Sequence, residues 1–316
     1  MLLVSIFQAK QRGGSSTVSI PKETDKENKI MKLSVSSYSF HQKTKTGEMT
    51  LFDCITKAKE MGFEAIEFTE LPGDSLEAQT TLAAELKTAA DTIGLDICAY
   101  VVGAKLYQET EEASDAEVKR LFGQVEIAHL LGAKIFRHDV CSSLGKSGNA
   151  RSFDLMLPTI AKNARRVTEY AQGLGIRTCT ENHGTIAQDS DRVERLFNAV
   201  HHDNYGLLVD IGNFACVDES SITAVSRTAP YAIHVHIKDM AIRNTPWEEK
   251  HFTSRGCHYL KGTVVGEGDI PVRQCLAILK RVGYDDYLSI EYEAAEDCLC
   301  GIARVLQNLR SMLEQI

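Results

Sequence analysis

From Met31 onward, short apolar and β-branched runs alternate with longer stretches whose apolar positions recur every three to four residues. A two-residue period marks a strand and a 3.6-residue period marks a helix, so the alternation predicts successive βα units on a parallel sheet. The predicted strands are 33–40, 64–70, 96–102, 134–140, the stretch RTCTENHG at 177–184, 205–211, 232–239 and 286–293. Between them, helices are predicted over 51–61, 76–93, 115–131, 153–174, 191–200 and 219–228, several closed by a glycine that can take a left-handed cap. A seventh helix is expected after Gly268, with Asp269 as N-cap, Pro271 in its first turn and Gly283 as its stop. The last carries Ile302, Val305, Leu306, Leu309 and Leu313 at helical spacing, an apolar stripe that calls for a packing surface and no cofactor.

Eight such units predict an α/β chain folded as one (β/α)₈ TIM barrel over residues 31–316, with functional residues at the carboxyl ends of the strands. Residues 1–30 stand apart. MLLVSIF is apolar but too short for a signal segment, and the polar stretch after it reads as a flexible, disordered leader. The connection after the seventh strand, 240–268, is the longest predicted without regular structure, and loops of that length are commonly lids or binding segments. It holds the single tryptophan, Trp247, and Arg243, both placed as candidate substrate contacts over a lid.

Hydrophobic content of 43% and charged content of 25% are ordinary for a globular chain. The net charge of −8 argues against nucleic acid as partner, because that affinity comes from Lys and Arg neutralising phosphates. No stretch reaches the roughly 18 uninterrupted apolar residues of a membrane span. The nine cysteines show no CxxC or metal-finger spacing, which fits small buried hydrophobes in a reducing, cytoplasmic setting.

Candidate chemistry gathers at strand ends. Alternation in a strand puts Cys179, Glu181 and His183 on one face. VDIGN carries Asp210, HVHIKD carries His236, and SIEYE carries Glu291. Two Glu, one Asp and one His from four strands form an oxygen-rich set that suits Mn²⁺, Mg²⁺, Co²⁺ or Zn²⁺. His138 ends the fourth strand, where it is a candidate substrate contact, although it alternates with Arg137 and Asp139 so that only one set points inward. Lys238 lies one step nearer the mouth than His236, within reach of an oxyanion or phosphate. The GEG of VGEGDI reads as a turn plus a helix cap, a lone GxG being weak evidence for a phosphate site.

With ENHG, VDIGN, HVHIKD, VGEGDI and SIEYE in place, the chain resembles the xylose isomerase-like TIM barrels. This family of sugar isomerases and epimerases also includes inosose dehydratase. The resemblance implies Glu181, Asp210, His236 and Glu291 as ligands of a divalent ion, Mn²⁺ foremost, with His183 and Lys238 beside it. It implies Glu181 and Glu291 as the acid/base pair of an isomerase or epimerase acting on a sugar or polyol derivative. One position departs from the family pattern: Asn213 stands where a substrate-binding histidine is usual.

That departure keeps a lyase reading open, either inosose dehydratase-like or like the catalytic subunit of C-glycoside deglycosidases, which act on 3-oxo-glucosides. In such an enzyme His183 is the expected base, the lid covers the leaving group, and a small second subunit can join what is otherwise a homo-oligomer. The fold also hosts endonuclease IV-type repair enzymes, which need more His ligands and a basic face. A metal-bound module without catalysis is the remaining alternative.

Overall fold

The computed structural model describes residues 31–316, so the expected leader at 1–30 lies outside the described residues. β1 (Lys32–Ser36) runs into a 3₁₀ turn over Ser37–Phe40 and the short helix α1 (His41–Thr44). Then come α2 (Leu51–Met61), β2 (Ala65–Thr69), α3 (Leu76–Ile93), β3 (Asp96–Val102), α4 (Glu111–Leu131), β4 (Ile135–His138) and α5 (Phe153–Gly173). β5 (Arg177–Glu181), α6 (Ser190–Val200), β6 (Tyr205–Asp210), α7 (Ser221–Thr228) and β7 (Ala232–Ile237) follow. The chain ends with β8 (Asp239–Arg243), β9 (Phe252–Thr253), β10 (Tyr259–Thr263), α8 (Val272–Val282), β11 (Tyr287–Ile290) and α9 (Cys298–Glu314).

Eight parallel strands close in the order β1-β11-β7-β6-β5-β4-β3-β2, which is the (β/α)₈ barrel expected from the pattern. Side-chain caps fix most helix starts: Thr50 and Asp53 form a capping box on α2, and Ser75, Ser152 and Asp189 each accept from a backbone N–H three residues on. The main core lies between strands and helices. A smaller cluster inside the barrel includes Ala65, Ile135, Cys179 and Leu208. Each of these lies two residues before an inward polar group of the same strand, namely Glu67, Arg137, Glu181 and Asp210, so an apolar layer plugs the barrel beneath a polar one.

Four local expectations are corrected. The first strand ends at Ser36 and not at 40, because the Ser36 hydroxyl accepts from the Tyr38 N–H and turns the chain. Helix α4 begins at Glu111, four residues early, because Thr110 caps it through the Ala113 N–H. The connection after β7 is not irregular: β8, β9 and β10 form an antiparallel sheet in the order β8-β10-β9.

Asp269 is not the cap of α8, where Pro271 holds that place without a side-chain bond. Its carboxylate accepts instead from the Ile242 N–H at 2.7 Å. The backbone amides of the GEGDI turn wrap Asp239, whose carboxylate accepts from Gly266, Gly268, Ile270 and Met240 at 2.8–3.1 Å. A Cβ at Gly268 would come within 2.2 Å of Asp239 Oδ1, so the turn needs glycine for close approach to the carboxylate. The anion cradled by this turn is one of the protein's own side chains, and it ties the base of the excursion to the barrel.

Candidate metal centre and active site

Glu181 ends β5, Asp210 ends β6, His236 is the penultimate residue of β7, and Glu291 follows β11 directly. The four reach one point at the mouth of the barrel, each offering one ligand-type atom within 4.8 Å of the other three. His236 Nδ1 lies 3.8 Å from Glu181 Oε1, 4.0 Å from Asp210 Oδ2 and 3.9 Å from Glu291 Oε2. A cavity of about 480 Å³ opens beside them, lined among others by Arg137, His183, Asn213, Lys238 and Phe252.

Three of the four candidate ligands are held from behind. Asp210 Oδ1 accepts from the backbone N–H groups of Gly212 and Asn213 at 2.8 and 2.9 Å, which leaves Oδ2 directed at the centre. The Asn182 side chain pairs in both directions with the Asp210 backbone and extends the β5–β6 pairing past the last strand residue. Glu181 accepts from Asn213 Nδ2 at 2.8 Å and pairs through its other oxygen with Arg137 Nη2 at 2.8 Å. His236 turns Nε2 away from the centre, toward Glu67 at 2.9–3.0 Å.

The arrangement fits a divalent cation. Among the described residues, His236 Nδ1 and Asp210 Oδ2 are buried without a hydrogen-bond partner, though the Lys238 ammonium lies 3.0 Å from Oδ2 as an ion pair. A buried polar atom left unpaired costs about 1–3 kcal/mol, and one cation between these two satisfies both. Their separation is of the order that ligand bonds of about 2.0–2.2 Å span. Three carboxylates and one imidazole form a hard set typical of Mn²⁺, Mg²⁺ or Zn²⁺.

Charge is dense here. Burial opposes ionisation of Glu181, yet Arg137 and His236 hold it well below the usual carboxylate range. Burial raises Asp210, and the charges of Glu181 and Glu291 add to that rise while Lys238 opposes it. Lys238 pairs with Glu291 and also lies 3.4 Å from Glu293. Burial disfavours its charge, but Asp210, Glu291 and Glu293 together keep it an ammonium.

His183 faces the cavity with its Nδ1 3.0 Å from Asp139 Oδ1. That contact makes Nδ1 the donor, so in the neutral ring the lone pair is on Nε2. Burial works against its charged form, but the Asp139 bond and the Glu181 charge raise it above the ordinary imidazole value. Asp139 itself also pairs with Arg137 Nη2 at 2.7 Å.

The structure thus brings Glu181, His183, Asp210, Asn213, His236, Lys238 and Glu291 together and leaves three candidates out. His138 points away from the cavity into the layer between barrel and helices, fully buried beside Phe136 and Tyr205, with Nδ1 2.9 Å from the Asp139 carbonyl. Of the two alternating sets on β4, Arg137 and Asp139 face inward. Arg243 and Trp247 pair with each other on the excursion, the guanidinium 3.6 Å from the ring centroid, and line no part of the cavity. The excursion reaches the cavity through Met240, Phe252 and Thr253 instead.

Glu67 and Asp139 escaped the sequence reading as members of the site. Glu67 left a trace: a lone carboxylate in the apolar run AIEFT needs a buried partner.

The comparisons with known proteins agree with the barrel fold. A family model described as a xylose isomerase-like TIM barrel matches residues 55–314. A rhizopine catabolism protein, MocC, of Rhizobium meliloti is 27% identical over 263 residues, covering 78% of this chain and 76% of its own. An inosose dehydratase of Clostridium perfringens is 24% identical over 264 residues, covering 78% and 83%. Among solved structures, D-psicose 3-epimerase of Clostridium cellulolyticum H10 with D-tagatose is similar in fold, with a TM-score of 0.70, 16% identity, and coverage of 90% and 99%.

Proposed function

Because the chain belongs to the xylose isomerase-like TIM barrels, we propose that it is a divalent-metal-dependent lyase that dehydrates a cyclic polyol ketone. Glu181, Asp210, His236 and Glu291 would hold the ion. Bound there, a divalent cation supplies Lewis-acid polarisation of the substrate's oxygens and acidifies the neighbouring C–H.

The observation that carries the reading is the Asp139–His183 pair beside a clamped Glu181. His183 Nε2 takes the proton from the carbon next to the carbonyl, and Asp139 holds the imidazole in the tautomer that can accept it. The electron pair left on carbon forms the new double bond as the β carbon–oxygen bond breaks. The departing hydroxyl takes the same proton back from His183 Nε2, so the products are water and an unsaturated ketone. Glu181, bonded at both oxygens and held at low proton affinity, is a poor base for this step. The walls around Glu70, Glu291 and Glu293 favour an uncharged polyol over a phosphorylated one.

A second reading is epimerase or isomerase chemistry with Glu181 and Glu291 as the two bases. It is favoured by Glu291, which approaches the same His236 nitrogen as Glu181 and has a side chain 16% exposed. A C-linked aglycone as leaving group draws less support, since Trp247 stays out of the cavity.

Incubating the Mn²⁺-loaded chain in D₂O with inososes, free ketoses and 3-oxo-glucosides tests these readings. Release of water with an enone product, lost in His183→Asn, is the expected result. Deuterium incorporation with inversion and no loss of water supports the epimerase instead, and the absence of exchange or product with every ketone overturns both.

A further inference from the structure

Glu67, the middle residue of β2, is fully buried and lines no part of the cavity. Its carboxylate crosses the barrel interior to β7 and meets two imidazoles at once, His234 Nε2 at 2.7 Å and His236 Nε2 at 2.9–3.0 Å. His234 and His236 are two residues apart on one strand, so a single acidic group spans two layers of the barrel interior. A carboxylate accepts and does not donate, which places a hydrogen on both Nε2 atoms. In the neutral ring, the form that can bind a metal, this leaves the lone pair on Nδ1 of His236, and among the described residues it is this atom that has no hydrogen-bond partner in front of Glu181, Asp210 and Glu291. With the opposite tautomer, an N–H would point into the ligand cluster and exclude a cation.

We infer that Glu67 is the positioning residue of the metal centre: it fixes which nitrogen of His236 faces the ion, and it does so while shared with His234. This rests on the reading of the four-residue cluster as a metal site. Sharing gives the inference a distinctive consequence. Glutamine at 67 offers one accepting oxygen and one donating nitrogen to two imidazoles that both need an acceptor. If His234 takes the oxygen, the amide donates to His236 Nε2 and drives the proton onto Nδ1. Removing His234 releases the oxygen for His236.

The test is Mn²⁺ affinity of the full chain, followed by the electron paramagnetic resonance of free Mn²⁺, with thermal unfolding of each metal-free variant as a control on folding. Glu67→Gln is expected to weaken binding by about 10–100-fold, the usual effect of losing such an outer partner. His234→Phe is expected to bind like the parent, and the double variant to recover most of the lost affinity. Undiminished binding in Glu67→Gln, or a double variant no tighter than the single one, overturns the inference. Should Glu67→Gln fail to fold, ¹⁵N-histidine spectra of the unmodified chain with diamagnetic Zn²⁺ decide it. Protonated Nε2 with unprotonated Nδ1 at His236 supports the inference, and the reverse overturns it. A parent chain that takes up no Mn²⁺ overturns the metal reading and this inference with it, whereas normal uptake by both parent and Glu67→Gln overturns this inference alone.

Discussion

Arg137 Nη2 lies 2.8 Å from Glu181 Oε2, and the two side chains are 6% and 3% exposed. A buried ion pair contributes little net stability over an apolar pair, but removing one partner strands the other charge. Arg137 also pairs with Asp139, so its loss takes the guanidinium away from two buried carboxylates at once in the metal-free chain. Arg137→Met is expected to lower the unfolding free energy of the metal-free protein by about 3–5 kcal/mol in urea. A loss under 1 kcal/mol would mean that solvent reaches Glu181 more freely than its burial indicates.

Asp139 orients His183 without lying between it and the cavity. Asparagine at 139 can present its NH₂ to Nδ1 and turn the imidazole to the tautomer that carries hydrogen on Nε2, which cannot take a proton from substrate. Asp139→Asn is therefore expected to lower kcat on the ketone substrate by about 10²–10⁴-fold, the range for a lost general base, with KM changed far less. His183→Asn should fall in the same range. If Asp139→Asn turns over normally while His183→Asn does not, the base acts without its orienting partner.

How far the sequence carried the reading depended on whether a feature was local. Strand-end motifs such as VDIGN and HVHIKD place Asp210 and His236 by alternation alone, and glycine stops bound the helices to within a residue or two. Facing was harder. On β4, RHD offers His138 or the Arg137–Asp139 pair to the interior, and only the apolar layer beneath, with Ile135 in line under Arg137, decides between them. Glu67 was hidden for another reason, because its partners are about 170 residues away on a strand that is not its neighbour in the barrel. The excursion read as irregular because its strands are short and interrupted by charged residues, and its sheet is held by pairing with itself.

Lys238 offers a test through metal removal. Its ammonium sits among Asp210, Glu291 and Glu293, where it offsets part of the repulsion that a cation would also relieve. Lys238→Met is expected to destabilise the chain in chelator far more than in excess Mn²⁺. A ligand at 100 times its Kd adds about 2.7 kcal/mol to the stability of any chain that binds it only when folded. The gap between loaded and chelated unfolding midpoints should therefore widen in the variant relative to the parent. Equal gaps in the two proteins would show that the ammonium and the ion do not act on the same carboxylates.

His138, away from the cavity, makes stability depend on pH in a defined window. Burial pushes its imidazole down to about 4 from 6.5, against the Asp139 carbonyl, which favours the charged form, and among the described residues its Nε2 has no hydrogen-bond partner. Between pH 6.5 and 4 the unfolded chain binds a proton here that the folded chain does not, so stability rises with pH across that window. The contribution is fully present above pH 6.5 and is lost as pH falls through 4, amounting to about 3 kcal/mol. His138→Asn, whose amide can reproduce the donor to the Asp139 carbonyl, removes the titrating group. The difference in unfolding free energy between parent and variant, followed by urea denaturation from pH 7 to pH 4.5, is expected to shift steadily in favour of the variant as pH falls. Parallel pH profiles would place the His138 ring in contact with water.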